Sequence, residues 1–278
     1  MVKKKAAALT ATALASLAGC TFAFPVTVRE GPEDGGAGDV RVAEAGSFEA
    51  AADAWVADAD AAPGFFCASV DPGDSSFFRC FDYDSPDAAL AAPAAMPRSS
   101  VGIATDAAFS APNSLFAQTP ILADGALGGA VDNVVVFPAN AQTKSLDFRF
   151  DMRVEPTTGG FPALVVANNG PWRFYVNIEP GANPAVRILE ANNVGPPQTH
   201  NGAFVIKFGT WHRYEGSISV VTSTFSLSVD GTPFYKNEAL QFKPAPTGFR
   251  TALGVEYVQG PYPAIAVNFD NVVLRAAF

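Results

Sequence analysis

Histidine is nearly missing from this chain. Its 278 residues include two His, with three Cys, three Met and three Trp. A zinc site or a catalytic triad built on two isolated imidazoles is not expected, because zinc needs several Cys or His ligands close together. Basic residues are also scarce, 18 Lys and Arg against 27 Asp and Glu, for a formal net charge of −9. Such a surface repels a phosphate backbone, so no nucleic-acid partner is expected. The common catalytic signatures are absent too: no Gly-x-Ser-x-Gly elbow, no His-Glu-x-x-His, no phosphate-binding glycine loop and no dinucleotide fingerprint. Past the N-terminal region no run of 18 consecutive apolar residues occurs, so no spanning helix is expected there.

What is present favours short strands. Hydrophobic residues make up 49% of the chain and charged residues 16%, enough for a buried core and too few charges for a disordered chain. There are 24 Gly, 22 Pro and 23 Phe, the composition of strands punctuated by turns. The length allows one large or two small domains.

The N-terminus reads as an address. Lys3, Lys4 and Lys5 precede an uncharged stretch from Ala6 to Leu17, too short for a permanent span and consistent with a secretory signal over 1–19. Leu17-Ala18-Gly19-Cys20 resembles a bacterial lipobox, which implies cleavage before Cys20 and lipid on its sulfur. Thr21 stands where an Asp would retain the protein at the inner membrane, which favours the outer membrane, facing the periplasm or the surface. Acyl chains add about 0.8 kcal/mol per buried CH₂, so a multiply acylated terminus is a stable membrane anchor. Residues 20–63 then read as an acidic tether with nine acids over 30–60 and few large apolar side chains. With Cys20 assigned to lipid, Cys67 and Cys80 remain. In an oxidising compartment they are expected to pair, although two buried free thiols remain an alternative.

From Gly64 onward alternation dominates. Leu146, Phe148, Phe150, Met152 and Val154 alternate with Asp147, Arg149, Asp151, Arg153 and Glu155, so one face of the strand is buried. Phe174, Val176 and Ile178 alternate with Arg173, Tyr175, Asn177 and Glu179. Phe225, Leu227 and Val229 run into Asp230-Gly231, a hairpin signal. Further strands are predicted over 131–137, 162–167, 185–190, 203–208, 211–221, 249–257 and 264–274. Ten or more short strands without helical period over 64–278 predict one all-β domain, a two-sheet antiparallel sandwich.

Three segments carry a resemblance: Gly209-Thr210-Trp211-His212-Arg213-Tyr214-Glu215, the hairpin Thr224 to Gly231, and Phe269-Asp270-Asn271-Val272-Val273-Leu274, with Ala111-Pro112-Asn113-Ser114-Leu115 as an early strand start. In this order they resemble laminin G-like jelly rolls of the concanavalin A-like lectin/glucanase superfamily. The resemblance implies a jelly roll over 64–278 and a structural calcium ion. By motif, Asp270 is its late ligand, with Asp82 and Asp84 the nearest early carboxylates. The glucanases' strand of two Glu around an Asp is missing here. Asp147, Asp151 and Glu155 share their face with Arg149 and Arg153, which should lower the acids' pKa values and oppose a general-acid role. No enzyme activity is therefore expected. The expected function is noncatalytic binding of carbohydrate or another envelope partner. Trp172, Tyr175, Asn177, Tyr257 and Tyr262 are the candidate sugar-binding residues, and core packing is favoured for Trp211. Alternatives are a structural or protein-docking envelope protein, and a divergent glycoside hydrolase or lyase.

Overall fold

The computed structural model describes residues 66–278 except 85–89, 111, 138–141, 156–160, 168–170, 180–183 and 193–194. The signal segment, Cys20 and the acidic tether lie outside the described residues. In chain order a short 3-10 turn, Phe66–Ser69, precedes β1 (Phe77–Phe81), β2 (Pro93–Ala95), β3 (Ser100–Ala104), β4 (Ser114–Thr119), β5 (Leu127–Val136), β6 (Ser145–Val154), β7 (Phe161–Ala167) and β8 (Arg173–Glu179). There follow β9 (Ala185–Ala191), β10 (Gln198–Thr199), β11 (Phe204–Val205), β12 (Trp211–Ser219), β13 (Thr224–Val229), β14 (Thr232–Ala239), β15 (Arg250–Gln259) and β16 (Ile265–Ala277). One antiparallel sheet runs β14-β13-β12-β6-β16-β4-β3, with β1 also on β16. The other runs β10-β9-β8-β7-β15-β5-β2, with β11 on β9. The two pack face to face as the expected jelly-roll sandwich. Among the described residues, no helix is long and apolar enough to cross a membrane.

The alternating segments do what period two demands. Leu146, Phe148, Phe150, Met152 and Val154 on β6, and Phe174, Val176 and Ile178 on β8, all lie in one buried core between the sheets. Phe150 stacks on Tyr214 at 5.1 Å, and Phe174 meets Phe225 of the opposite sheet edge to face at 5.2 Å. Gly216 pairs with Phe148, and a Cβ there would sit 2.3 Å from the Phe148 ring, so glycine makes room for the aromatic row. Asp230 and Gly231 have φ of 51° and 73°, the double left-handed turn that a tight hairpin between β13 and β14 needs. Strands β1 and β3 were not expected, since their short segments show no long alternation. The expected strand over 203–208 shrinks to two residues on the edge of β9.

Two ties fix distant parts of the chain. Cys67 and Cys80 form a disulfide with a Cα–Cα distance of 5.6 Å, holding the 3-10 turn to β1. Between the sheets, Glu190 of β9 is fully buried. Its oxygens meet His200 Nε2 at 2.6 Å and accept from Trp172 Nε1 at 2.9 Å, Gln241 N at 2.8 Å and Phe242 N at 3.3 Å. Gln241 and Phe242 leave the first sheet after β14, so this one carboxylate fastens the second sheet to the first. Buried charge is tolerated only when its oxygens are satisfied, and removing it orphans four partners at once. Glu190→Ala is expected to cost about 3–5 kcal/mol in chemical denaturation. A loss below about 1 kcal/mol would show that the sheets are held together without it.

Candidate functional site

The outer face of the second sheet collects the most varied chemistry. On β8 the residues opposite the core are Arg173, Tyr175, Asn177 and Glu179, as alternation predicts. On β15, Arg250, Ala252, Gly254 and Glu256 face the same way, because Leu253 and Val255 belong to the core. Tyr175, Ala191 and Ala252 form a small apolar cluster of their own, bordered by Val131 and Leu189. Ala252 and Gly254 are small enough that the side chains of Arg250 and Glu256 meet along the strand above them, Arg250 Nη2 to Glu256 Oε1 at 3.5 Å. Gly254 has φ of 129°, and a Cβ there would meet the Ala130 carbonyl oxygen at 2.2 Å, so no larger residue fits. Arg250 Nη1 also donates to Asn133 Oδ1 at 3.1 Å. Burial pushes the Glu256 carboxyl up, with Arg250 and Arg173 pulling against it. Burial likewise raises the Tyr175 phenol, and Glu256 adds to the shift.

Two of the sequence-predicted sugar contacts, Tyr175 and Asn177, therefore reach this face, but Tyr175 is only 6% exposed and packs into the apolar cluster. It is no open stacking platform. Trp172 is a correction: its ring lies inside the sandwich against Phe174 and Phe249, and its indole N–H is spent on Glu190. Tyr262 is also away from the face, packed against the main core, with its backbone bridged to Leu122. The side chain of Tyr257 is not described. Arg173, Arg250, Glu256 and Asn133 were not expected. The spacing Arg250-x-Ala252-x-Gly254-x-Glu256 carried the signal, two charges on one strand face separated by two small residues.

A second polar centre lies on the outer side of the first sheet, where β16 bulges. Pairing with β6 shifts between Asp270 and Val273, and Asn271 takes φ of 50°. Asp270 Oδ2 accepts from Phe109 N at 3.0 Å, Ser110 N at 2.9 Å and Ser110 Oγ at 3.1 Å, and Oδ1 accepts from Asn271 N at 2.8 Å. Asp84 accepts from Asn113 N at 2.8 Å and interacts with the same Ser110. Burial is the largest influence on Asp270 and Asp84 adds a like charge; together they outweigh the four donors and raise its pKa to about 7. Of the predicted calcium ligands, Asp84 and Asp270 thus converge on Ser110. Asp82 does not, because its carboxylate takes Cys67 N at 3.5 Å and Asp84 N at 3.0 Å. Among the described residues no group of three or more His, Cys, Asp or Glu gathers for a metal.

The charges of β6 are less exposed than expected. Asp151 is fully buried, clamped by Arg213 at 2.9 and 3.2 Å and by Asn271 Nδ2 at 2.9 Å, while Arg149 reaches Glu215 at 3.7 Å. Arg149 and Arg153 were expected to lower the acids' pKa values. Asp147 instead goes up, because burial outweighs the pull of Arg275. Trp211, expected in the core, stands edge to face with Phe109, which is 49% exposed, at 6.1 Å. His212 Nδ1 meets Asp230 at 2.7 Å, but its Nε2 accepts the Lys207 N–H at 3.2 Å, so this His–Asp pair has no nitrogen left for a nucleophile.

The like charges of Asp84 and Asp270 have a pH signature. Asp270 has a folded pKa above its unfolded value, so its contribution to stability is fully present below about 4 and is lost as pH rises towards about 7. Asp84→Asn removes the like charge. Its melting temperature should match the wild type near pH 4 and exceed it by roughly 2–4 °C near pH 8, the effect of about 1 kcal/mol in a domain of this size. A difference that does not grow with pH would show that the two carboxyls do not interact.

No family model matches this chain, and no curated protein does. Solved structures do share its fold. An endo-β-1,4-glucuronan lyase from the fungus Trichoderma reesei aligns with a TM-score of 0.52 and 12% identity, over 73% of this chain and 96% of that one. A carbohydrate esterase from the Shiga toxin-encoding bacteriophage phi24B aligns at 0.46 and 12%, over 72% and 97%. Domain 4 of the extracellular arabinanase from Geobacillus stearothermophilus, in complex with arabinotriose, aligns at 0.42 and 10%, over 74% and 85%. The expectation that this chain is not an enzyme is corrected on the first of these. The same sandwich serves as a lyase, so missing short motifs do not make such a chain noncatalytic. What the likeness to the lyase shows for this chain is its architecture, a jelly-roll β-sandwich.

Proposed function

We propose that this chain is a lipid-anchored envelope protein whose sandwich engages carbohydrate on the outer face of its second sheet. The observation that carries the reading is the row of Arg173, Tyr175, Arg250 and Glu256 around the small floor of Ala252 and Gly254. It supplies charged hydrogen-bond donors and acceptors over an apolar base, the composition of a site that fixes a polyhydroxylated ligand by direction. The lyase that shares the fold acts, by its name, on a polysaccharide. The basic start, apolar stretch and Leu17-Ala18-Gly19-Cys20 box support export and lipidation. One experiment on the full chain tests both parts. Detergent-phase partition should be lost in Cys20→Ser, and the solubilised chain should bind a panel of polysaccharides, with their chain length followed to detect turnover. Aqueous partition of the unaltered chain removes the anchor. Silence across the panel from a folded sample removes the carbohydrate reading.

Calcium belongs to the same proposal. Asp84 and Asp270 are like charges gathered at Ser110, and a divalent cation would relieve both; carbonyl oxygens and water would have to complete a shell of six to eight. If calcium is held there, excess calcium raises the melting temperature, EDTA reverses the rise, and Asp84→Asn abolishes it. A melting temperature indifferent to calcium and EDTA ends that part of the reading.

A further inference from the structure

An open sheet edge is a pairing surface, because alternate residues turn their N–H and C=O outward, and folded proteins blunt such edges with charge, proline, irregularity or shortness. Among the described residues this sandwich blunts its other edges. β14 carries Pro233, Lys236 and Glu238 and shifts register against β13. β2 has three residues and begins at Pro93, while β10 and β11 have two each. β1 carries Arg79 and is tied through Cys80 to Cys67. β3, Ser100-Val101-Gly102-Ile103-Ala104, has none of these devices. It pairs with β4 alone, from Ser100 on Gln118 to Ala104 on Ser114. Among the described residues nothing takes the backbone groups on its other side.

The apolar layer is unfinished at the same place. Val101 and Ile103 pair with Ala117 and Leu115 and pack on the core. Ala117 and Leu115 are fully buried, whereas Val101 and Ile103 are only partly covered. One more strand would cover them.

The flanking charges select that strand. Arg98, in the turn before β3, and Asp106, in the bend after it, are both exposed, and among the described residues neither has an ion-pair partner. They stand four residues either side of Gly102. An edge that is positive at one end, negative at the other and neutral between is complementary to itself turned end for end. Antiparallel pairing about a two-fold axis at Gly102 sets Val101 against Ile103 of the second copy and Ser100 against Ala104 of the second copy. It also brings each Arg98 towards the partner's Asp106, so unlike charges meet twice.

We propose that β3 pairs with β3 of a second copy of this chain, joining two first sheets into one continuous sheet. The contact is a backbone ladder with one short apolar row and two exposed ion pairs, so the dimer is concentration-dependent and loosened by salt.

The test uses the full chain in density-matched detergent, with sedimentation to read association and mild oxidation to read register. Arg98→Asp should weaken the dimer about fivefold, and adding Asp106→Arg should restore it, because the reversed pair is again complementary. Gly102→Cys should oxidise to a covalent dimer, since Gly102 meets itself at the axis and a Cβ there has nothing within 4 Å. Ser100→Cys, whose counterpart is Ala104, should not rise above the background set by the unaltered chain with Cys20, Cys67 and Cys80. Melting temperatures of all variants should stay close to the wild type. A monomer at every concentration, with no covalent dimer from Gly102→Cys, overturns the proposal and leaves the edge bare or covered by another segment. A dimer indifferent to the charge reversals, or cross-linked as well through Ser100→Cys as through Gly102→Cys, overturns it by moving the contact to another surface or register.

Discussion

The last strand of the chain stands in the middle of a sheet, and the arrangement around it follows. From Val267 to Ala277 β16 pairs with β6 on one side. On the other side Ile265 to Phe269 pair with β4, and Val272 to Ala276 pair with β1. A thirteen-residue strand serving three partners cannot stay regular through the changeover. The bulge at Asp270 and Asn271 is where one partner hands over to the next, and it turns two polar side chains towards the loop carrying Ser110. The buried polar centre at Asp270 is a by-product of that handover. It also makes the topology non-local. The sheet cannot close until residues some two hundred positions apart have met, which is the kind of contact that slows folding.

The sandwich depends in turn on polar ties that its hydrophobic core cannot supply. Packed aromatic rows give cohesion without registering one sheet on the other. Glu190 provides registration because its four partners come from Trp172 just before β8, from the loop at His200 and from the segment after β14. Each hydrogen bond is modest, but an orphaned buried partner is costly, so the group acts as a lock.

The two outer faces solve the same problem differently. On the first sheet arginines and acids pair off, and Asp151 is drawn completely out of solvent. On the second, Ala252 and Gly254 leave room for Arg250 and Glu256 to meet along the strand at 3.5 Å. That asymmetry is what the proposed carbohydrate-binding role of the second sheet rests on.

The class of fold was legible in the chain because period two is a local property: β6, β8 and the Asp230-Gly231 hairpin each state their faces within a few residues. The pairing of Cys67 with Cys80 was also within reach, since only those two remained once Cys20 was assigned to lipid. The site was half legible. Tyr175 and Asn177 were placed on the outer face of the second sheet by alternation alone. Trp172 was not, because an indole at a strand start gives no sign that its N–H will find a buried carboxylate eighteen residues later. Arg250 and Glu256 escaped notice because small residues between charges acquire meaning only when neighbouring strands lie beside them. Alternation is decided by bonds between adjacent residues, so the sequence determined which side chains share a face. Which faces are closed by ion pairs and which stay open depends on strands far apart in the chain, and the tertiary structure alone decided that.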